Sequence, residues 1–515
     1  MSLMQASPFF FGHRGGRAAR ACREAVRCFS GARFAAVLGA GIVLAMTPAT
    51  FGADSALRKL HTRLDRILTQ HKQPNARLGA QVVELPGGRV LYQRDAREPL
   101  IPASNMKLVV IASAIEQLGI DYRYETVLAI RDRDLVVIGS GDPTFGDERI
   151  AQGRGESITA VFHRWAARLH DAGVRKIPGD LVIDDSIFDR QFTHPNWPPN
   201  QHQAWYEAPI GGLNFNANCV SVRATPSAKG PAKVAMIPGN RFLRIENRTI
   251  ASGKKKAVVN RRRGSDVLVV SGTVKKAGVL GPITVSDPGL YFGSVLKTVL
   301  AAKGIRVYGR VVRKSVRLAD GRLPSECHVV AVHRAGLADA LGRAGKNSLG
   351  MAAEGLLKTL GAARSGRGTW RTGVAAVEAF LRKAGVSADQ ATIDEGSGLS
   401  RENRLSPAAA VQVLGHMFRQ GGKTFDLFRD SLAHAGIDGS LEHRMKSRDT
   451  RDRIFAKTGY IRGVRTLAGY IHTHAGRWLA FAFYYNQASA TRPMTRAQDR
   501  ACRLLVQWPD LPPEK

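Results

Sequence analysis

The sequence predicts an α/β (α+β) fold: an antiparallel sheet flanked by helices, interrupted by a large, mainly β insertion. Three observations lead there. A helical periodicity followed by a hairpin pattern opens the globular part of the chain. Short strand-like runs separated by Gly, Pro and Asp turns fill the middle. Helical blocks, three consecutive strand patterns and a last helix close it. At 515 residues the chain also exceeds what one hydrophobic core comfortably organises.

Taken in order, residues 54–71 (DSALRKLHTRLDRILTQH) carry apolar side chains at helical spacing. The runs LGAQVVEL and GRVLYQRD, separated by Pro86-Gly87-Gly88, read as a hairpin, and 105–119 as a buried helix. Between 122 and 339 the segments TVLAIRD, DLVVIGSGDP, GDLVIDDSIF, CVSVRAT, DVLVVSGTV and HVVAVHR alternate with turns, and few long helices separate them. Helical periodicity returns over 337–361, 373–385 and 406–418. RIFAKTGYI, RTLAGYIHTH and WLAFAFYYNQ then supply three strands, and RAQDRACRLLVQW the closing helix. The expected organisation is therefore a presequence (1–53), a first part (54–121), inserted mainly β units (122–339) and a second part (340–515).

Six arginines before residue 34, then FAAVLGAGIVLAM and small residues, read as a secretory signal peptide cleaved near Gly52 or Ala53. The apolar stretch is short for a membrane span. With 76 Lys and Arg against 42 Asp and Glu, the net charge is +34. The cations are scattered, with no recognition-helix or zinc-finger pattern, so no specific nucleic acid is implied. A polyanionic envelope surface accounts for the charge. Cys219, Cys327 and Cys502 are far apart and odd in number, which argues against a disulfide framework and for buried thiols. The 14 histidines show no metal-ligand spacing, so neither metal nor other cofactor is called for.

Chemistry concentrates in four stretches. PASNMKL puts Ser104 and Lys107 three residues apart at a helix start, on one face, as a nucleophile and its base would be. Alone this is weak, because Ser-x-x-Lys recurs at Ser252/Lys255 and Ser294/Lys297. Lys457-Thr458-Gly459 lies within a strand pattern, where glycine marks close ligand approach and the lysine and threonine suit a carboxylate. KNSLGMAAEGLLKTLG sets Ser348 near a helix start, and DEGSGLSRENRLSP implies a tight Gly-Ser-Gly turn.

In that order these motifs resemble the penicillin-binding protein and serine β-lactamase signature. Together with AAEGLLKTLG, GSGLSRENRLSP, AGIDGSL, IGSGDPTFG and the long gap from Ser104 to Ser348, they resemble the D-alanyl-D-alanine carboxypeptidase/endopeptidase family of low-molecular-mass, class C penicillin-binding proteins. The resemblance implies a β-lactamase/transpeptidase-like domain. It further implies a periplasmic serine hydrolase acting on peptidoglycan peptides through a Ser104 acyl-enzyme, with β-lactams as covalent inhibitors. Lys107 would be the base, lowered by burial or by Lys457, and Ser348 would relay a proton to the leaving amine. Lys457 and Thr458 would hold the substrate carboxylate, with Gly459 leaving room for it. The backbone amides of Ser104 and Tyr460 would bind the oxyanion, and Tyr460 itself would narrow the site. Asp142, in the GSGDPTFG stretch, would meet a cationic group of the stem peptide, or else cap its own Asp-Pro turn.

One position departs from the pattern. The family's Ser-x-Asn is Ser348-Leu349-Gly350 here, and Asn347 sits on the wrong side of the serine. Loss of a buried amide costs roughly 1–3 kcal/mol, one to two decades in rate if felt in the transition state. A catalytically weakened wall-binding or scaffold protein is therefore the alternative expectation.

Overall fold

A computed structural model describes residues 48–70, 73–318 and 321–512. The expected signal peptide lies outside the described residues, except that the first helix, Pro48–Thr69, begins within it. Among the described residues no helix is long and apolar enough to cross a membrane.

The central sheet draws on both ends of the chain. Its six strands run in the order Ala433–His434, Ile454–Ile461, Val464–His472, Trp478–Asn486, Arg77–Leu85, Arg89–Arg94, every neighbour antiparallel. The expected hairpin and all three late strands are here. Trp478–Asn486 reads as one apolar run because it is buried on both faces. Ala480, Ala482 and Tyr484 face one core; Leu479, Phe481, Phe483 and Tyr485 face the other. The first core takes in the helices Met106–Leu118, Gly350–Ser365 and Pro407–Gln420. The second is closed by Pro48–Thr69 and Arg492–Val506, through Leu60, Leu64, Leu68, Met494, Ala501 and Leu505.

Strands between 123 and 336 pair among themselves, in a five-stranded sheet, two three-stranded sheets and a two-stranded ribbon. Two helices, Ala160–Asp171 and Pro288–Ala302, pack there with Phe162, Trp165, Phe292 and Leu296 in one core. The alternating turns and short runs of this region obscured them.

The helical run expected over 337–361 divides into Leu337–Gly345 and Gly350–Ser365. One tertiary and one local hydrogen bond accompany the break: the Lys346 carbonyl accepts from Ser440 N at 2.9 Å, and Leu349 N closes back on Arg343 O at 2.9 Å. Ser348 sits in the gap with φ +58°, off either helix.

The segment before Ser104 is pinned to the sheet. Asn486 brackets Ile101, accepting from its N–H at 2.8 Å and donating to its carbonyl at 3.1 Å. Leu405 N donates to Leu100 O at 2.9 Å, and Thr466 Oγ1 to Pro102 O at 2.8 Å. Replacing Asn486 by Ala leaves both Ile101 backbone groups without those partners. The expected cost is about 1–3 kcal/mol, read as a lowered midpoint in denaturant unfolding; an unchanged midpoint would mean the bracket contributes nothing.

Candidate active site

Ser104 lies in a single 3-10 turn, Ala103–Asn105, running directly into Met106–Leu118. This turn presents the hydroxyl at the helix N-terminus, and Lys107 follows one turn along. Lys107 Nζ donates to Ser104 Oγ at 3.1 Å. The same amine donates to the Ser397 carbonyl. Lys107 is only 2% exposed. Burial lowers its pKa to about 8, against an opposing pull from the acidic side chains behind it, Glu395 first and then Glu354.

Lys457 stands on the strand Ile454–Ile461, fully buried. Its Nζ donates to Ser348 Oγ at 2.9 Å and to Thr458 O at 2.8 Å. Asn105 Nδ2 donates to Lys457 O at 2.6 Å, tying the nucleophile turn to this strand. Of the two causes expected for a lowered Lys107, burial acts and the Lys457 charge is not among the causes. Burial lowers Lys107, whereas Lys457 is held well below the usual lysine range by its own burial and then by Lys107. Lys457 has no carboxylate partner among the described residues.

Glycine at 459 is required by space: a Cβ there would lie 2.0 Å from Thr466 Oγ1, 2.9 Å from Pro102 O and 3.2 Å from Ser104 N. The strand's outer neighbour, Ala433–His434, pairs only with Phe455 and Ala456. From Lys457 to Ile461 that edge is open toward the site. Thr458, half-buried, donates from Oγ1 to Ser440 Oγ at 2.8 Å, and Tyr460 is 58% exposed.

Ser104, Lys107, Ser348, Gly350 and Tyr460 thus line one cleft of about 690 Å³, whose mouth adds Trp205, Tyr206, Arg401 and Arg462. Lys457 sits beneath it. Asp142 is not among the lining residues. It is 3% exposed, and its Oδ1 accepts from Thr144 N at 2.7 Å and Thr144 Oγ1 at 2.6 Å, the Asp-Pro turn arrangement. Burial raises its pKa to about 6.

The rival Ser-x-x-Lys pairs have structural employment. Ser294 Oγ accepts from Arg241 N, and Lys297 Nζ donates to Gly309 O. Ser252 and Lys255 lie in an exposed turn.

Several residues at the site escaped the sequence reading. Gly398, at φ +78°, lies so close that a Cβ would fall 1.8 Å from Ala103 O and 2.9 Å from Ser104 N. The Gly-Ser-Gly turn is therefore laid directly on the nucleophile's peptide, and its Ser397 carbonyl reaches Lys107. Glu354 and Glu395 lie buried behind that turn. The signal available was the Gly-Ser-Gly triplet beside an acidic residue, which fixes a turn but not its neighbours.

The substitution at 350 also acquires a cause. A Cβ on Gly350 would sit 2.9 Å from the Tyr206 carbonyl, in the 3-10 turn Trp205–Glu207 that forms one wall of the cleft. Asn347 points away, its Oδ1 accepting from Arg343 Nη1 at 2.7 Å. Gly350→Asn, which restores the motif, is therefore expected to destabilise the protein by about 1–3 kcal/mol and not to raise its acylation rate. A faster, equally stable variant would refute this assignment.

Comparison with known proteins identifies the family. The D-Ala-D-Ala carboxypeptidase 3 (S13) family description matches residues 60–504. A D-alanyl-D-alanine carboxypeptidase of Actinomadura sp. (strain R39) is 32% identical over 508 residues, 92% of this chain and 90% of its own length. The D-alanyl-D-alanine carboxypeptidase DacB of Haemophilus influenzae is 23% identical over 441 residues, covering 81% and 87%. The crystal structure of penicillin binding protein 4 (dacB) from Haemophilus influenzae superposes with a TM-score of 0.71 at 21% identity, over 86% of this chain and 99% of that one. The motif order, the sheet built from both chain ends and the match over most of the length agree: this chain belongs to the D-Ala-D-Ala carboxypeptidase 3 (S13) family of serine carboxypeptidases.

Proposed function

We propose that this carboxypeptidase works through an acyl-enzyme on Ser104, with Lys107 as the base, and that β-lactams acylate the same oxygen. The observation that carries this reading is a buried amine of lowered pKa within 3.1 Å of the Ser104 hydroxyl, in a cleft open to solvent. Lys107 takes the Ser104 proton as Oγ attacks the carbonyl of the terminal D-Ala-D-Ala bond. The oxyanion falls to the backbone N–H groups of Ser104 and Tyr460. A proton returns through Ser348 to the departing D-alanine nitrogen, and water then releases the shortened peptide. The open edge at 457–461 accepts the substrate as an added strand. Its terminal carboxylate supplies Lys457 with the counter-charge it lacks in the free cleft, and Thr458 adds a hydroxyl. Arg401 and Arg462 offer cations to an acidic stem peptide, and an internal peptide bond in the same cleft would give endopeptidase activity. Asp142 receives no role, because it does not line the cleft and its Oδ1 is engaged in its own turn.

We place this chemistry in the periplasm, with residues 1–53 as an export signal and the excess positive charge favouring a polyanionic wall. Supporting this are the arginine-rich, apolar N-terminal pattern and the bacterial D-alanyl-D-alanine carboxypeptidases among the relatives. Export predicts that protein recovered from the envelope fraction begins near Asp54; an N-terminus retaining the arginines would contradict it.

The weakened-enzyme alternative draws on Gly350 and on the high positive charge. Release of D-alanine from a synthetic peptide ending in D-Ala-D-Ala separates the two readings. The protein is expected to turn it over, with Ser104→Ala lower by about six decades. Binding of the peptide with no release would favour the scaffold.

Because Lys107 must be neutral to accept a proton, the acylation rate is expected to climb about tenfold per pH unit below pH 8 and level off above it. A profile already flat from pH 6 to 9 would exclude Lys107 as the titrating base.

A further inference from the structure

Behind the Gly396-Ser397-Gly398 turn lie two buried carboxyls, Glu354 and Glu395, both 0% exposed. Five of the hydrogen bonds they accept hold that turn. Glu354 Oε1 accepts from Ser397 N at 2.6 Å, and Oε2 from Gly396 N at 3.1 Å and Trp370 Nε1 at 2.8 Å. Glu395 Oε1 accepts from Gly398 N at 2.6 Å and from Asn403 Nδ2. Its Oε2 accepts from Ser397 N at 3.1 Å, from Ser397 Oγ and from Trp197 Nε1 at 3.2 Å. Three successive backbone amides are thereby fixed, and with them the direction of the Ser397 carbonyl that receives Lys107 Nζ.

Two buried carboxyls that share a donor cannot both ionise. Glu354 is pushed well upward by burial and by Glu395, and so carries the shared proton. Glu395 is buried too, but hydrogen bonds from Glu354 and Ser397, the charge of Lys107 and the Trp197 bond outweigh that and hold it low. One negative charge thus lies behind the base. Other titratable groups face the pair as well. Lys358 is held by Asp189 Oδ1 at 2.7 Å and stacks on Trp370, and His194 is kept neutral by burial.

We infer that this acid pair is a positioning device for the base: the Ser397 carbonyl, clamped by Glu354 and Glu395, takes over toward Lys107 the acceptor role that Gly350 leaves vacant in the second motif. The wall turn at Tyr206 excludes a side chain at 350, where Ser397 Cβ would also lie 3.5 Å away, so the acceptor reaches Lys107 from the adjoining Gly-Ser-Gly turn, as main chain. A backbone acceptor is only as well placed as the turn that carries it, and the buried carboxyls hold that turn. The inference rests on Ser104 and Lys107 acting as nucleophile and base.

Its test is the pH dependence of benzylpenicillin acylation in the unsubstituted protein, Glu395→Gln and Glu395→Asp. The two quantities read are the plateau rate and the midpoint of the acid limb. Glu395→Gln is expected to lower the plateau at least tenfold and to move the limb to lower pH, because a negative charge behind Lys107 is lost. Glu395→Asp keeps the charge on a shorter arm: the limb should stay in place while the plateau falls. Should the glutamine variant not fold, the aspartate variant still decides, since a plateau within twofold of the unsubstituted protein overturns the clamp. An unchanged limb in a folded Glu395→Gln protein removes the electrostatic part of the inference. Absence of acylation in the unsubstituted protein would instead defeat the proposed nucleophile, a result distinguishable from both.

Discussion

The site depends on one amine. Lys107 is taken almost wholly out of water and held between two oxygens, the Ser104 hydroxyl and the Ser397 carbonyl. Desolvation penalises an ammonium, and that cost makes a lysine usable as a base near neutral pH. It also demands that every remaining direction be filled. The nucleophile turn supplies one oxygen and the Gly-Ser-Gly turn the other, and the two turns touch so closely that Gly398 admits no Cβ.

The rest of the fold brings these turns together. The sheet takes its middle strands from residues after 453 and an outer hairpin from residues 77–94. The strand with Lys457 and the helix with Lys107 can meet only once both chain ends have folded. Asn105, Thr466 and Asn486 then fasten the nucleophile turn to that sheet. The middle of the chain is more than an appendage, because its turn at Trp205–Glu207 builds a cleft wall and dictates glycine at 350.

Much of this was legible in the residues. The late strands are apolar throughout because both faces are buried, and Lys457-Thr458-Gly459 stood out against that background. Ser104 and Lys107 could be chosen over the other Ser-x-x-Lys pairs only through the motifs that follow them. The fold now gives an independent reason, since Ser294 and Lys297 are engaged with backbone groups. Three features stayed hidden because each depends on a contact between distant segments. The helix break that sets Ser348 off at φ +58° is accompanied by a bond from Ser440, more than ninety residues on. The cause of Gly350 lies in Tyr206, and the carboxyls behind Ser397 come from two separate stretches. Asp142 shows the converse: a polar residue in a suggestive motif whose carboxylate serves its own turn.

Whether Ser104 is the nucleophile activated by Lys107 can be read by mass spectrometry after incubation with benzylpenicillin. A single adduct of the antibiotic's mass is expected, located by peptide mapping to Ser104 and absent from Ser104→Ala. Slow formation is expected in Lys107→Met at pH 8. An adduct on Ser348 or elsewhere, or folded protein that takes up none, would contradict Ser104 as the nucleophile.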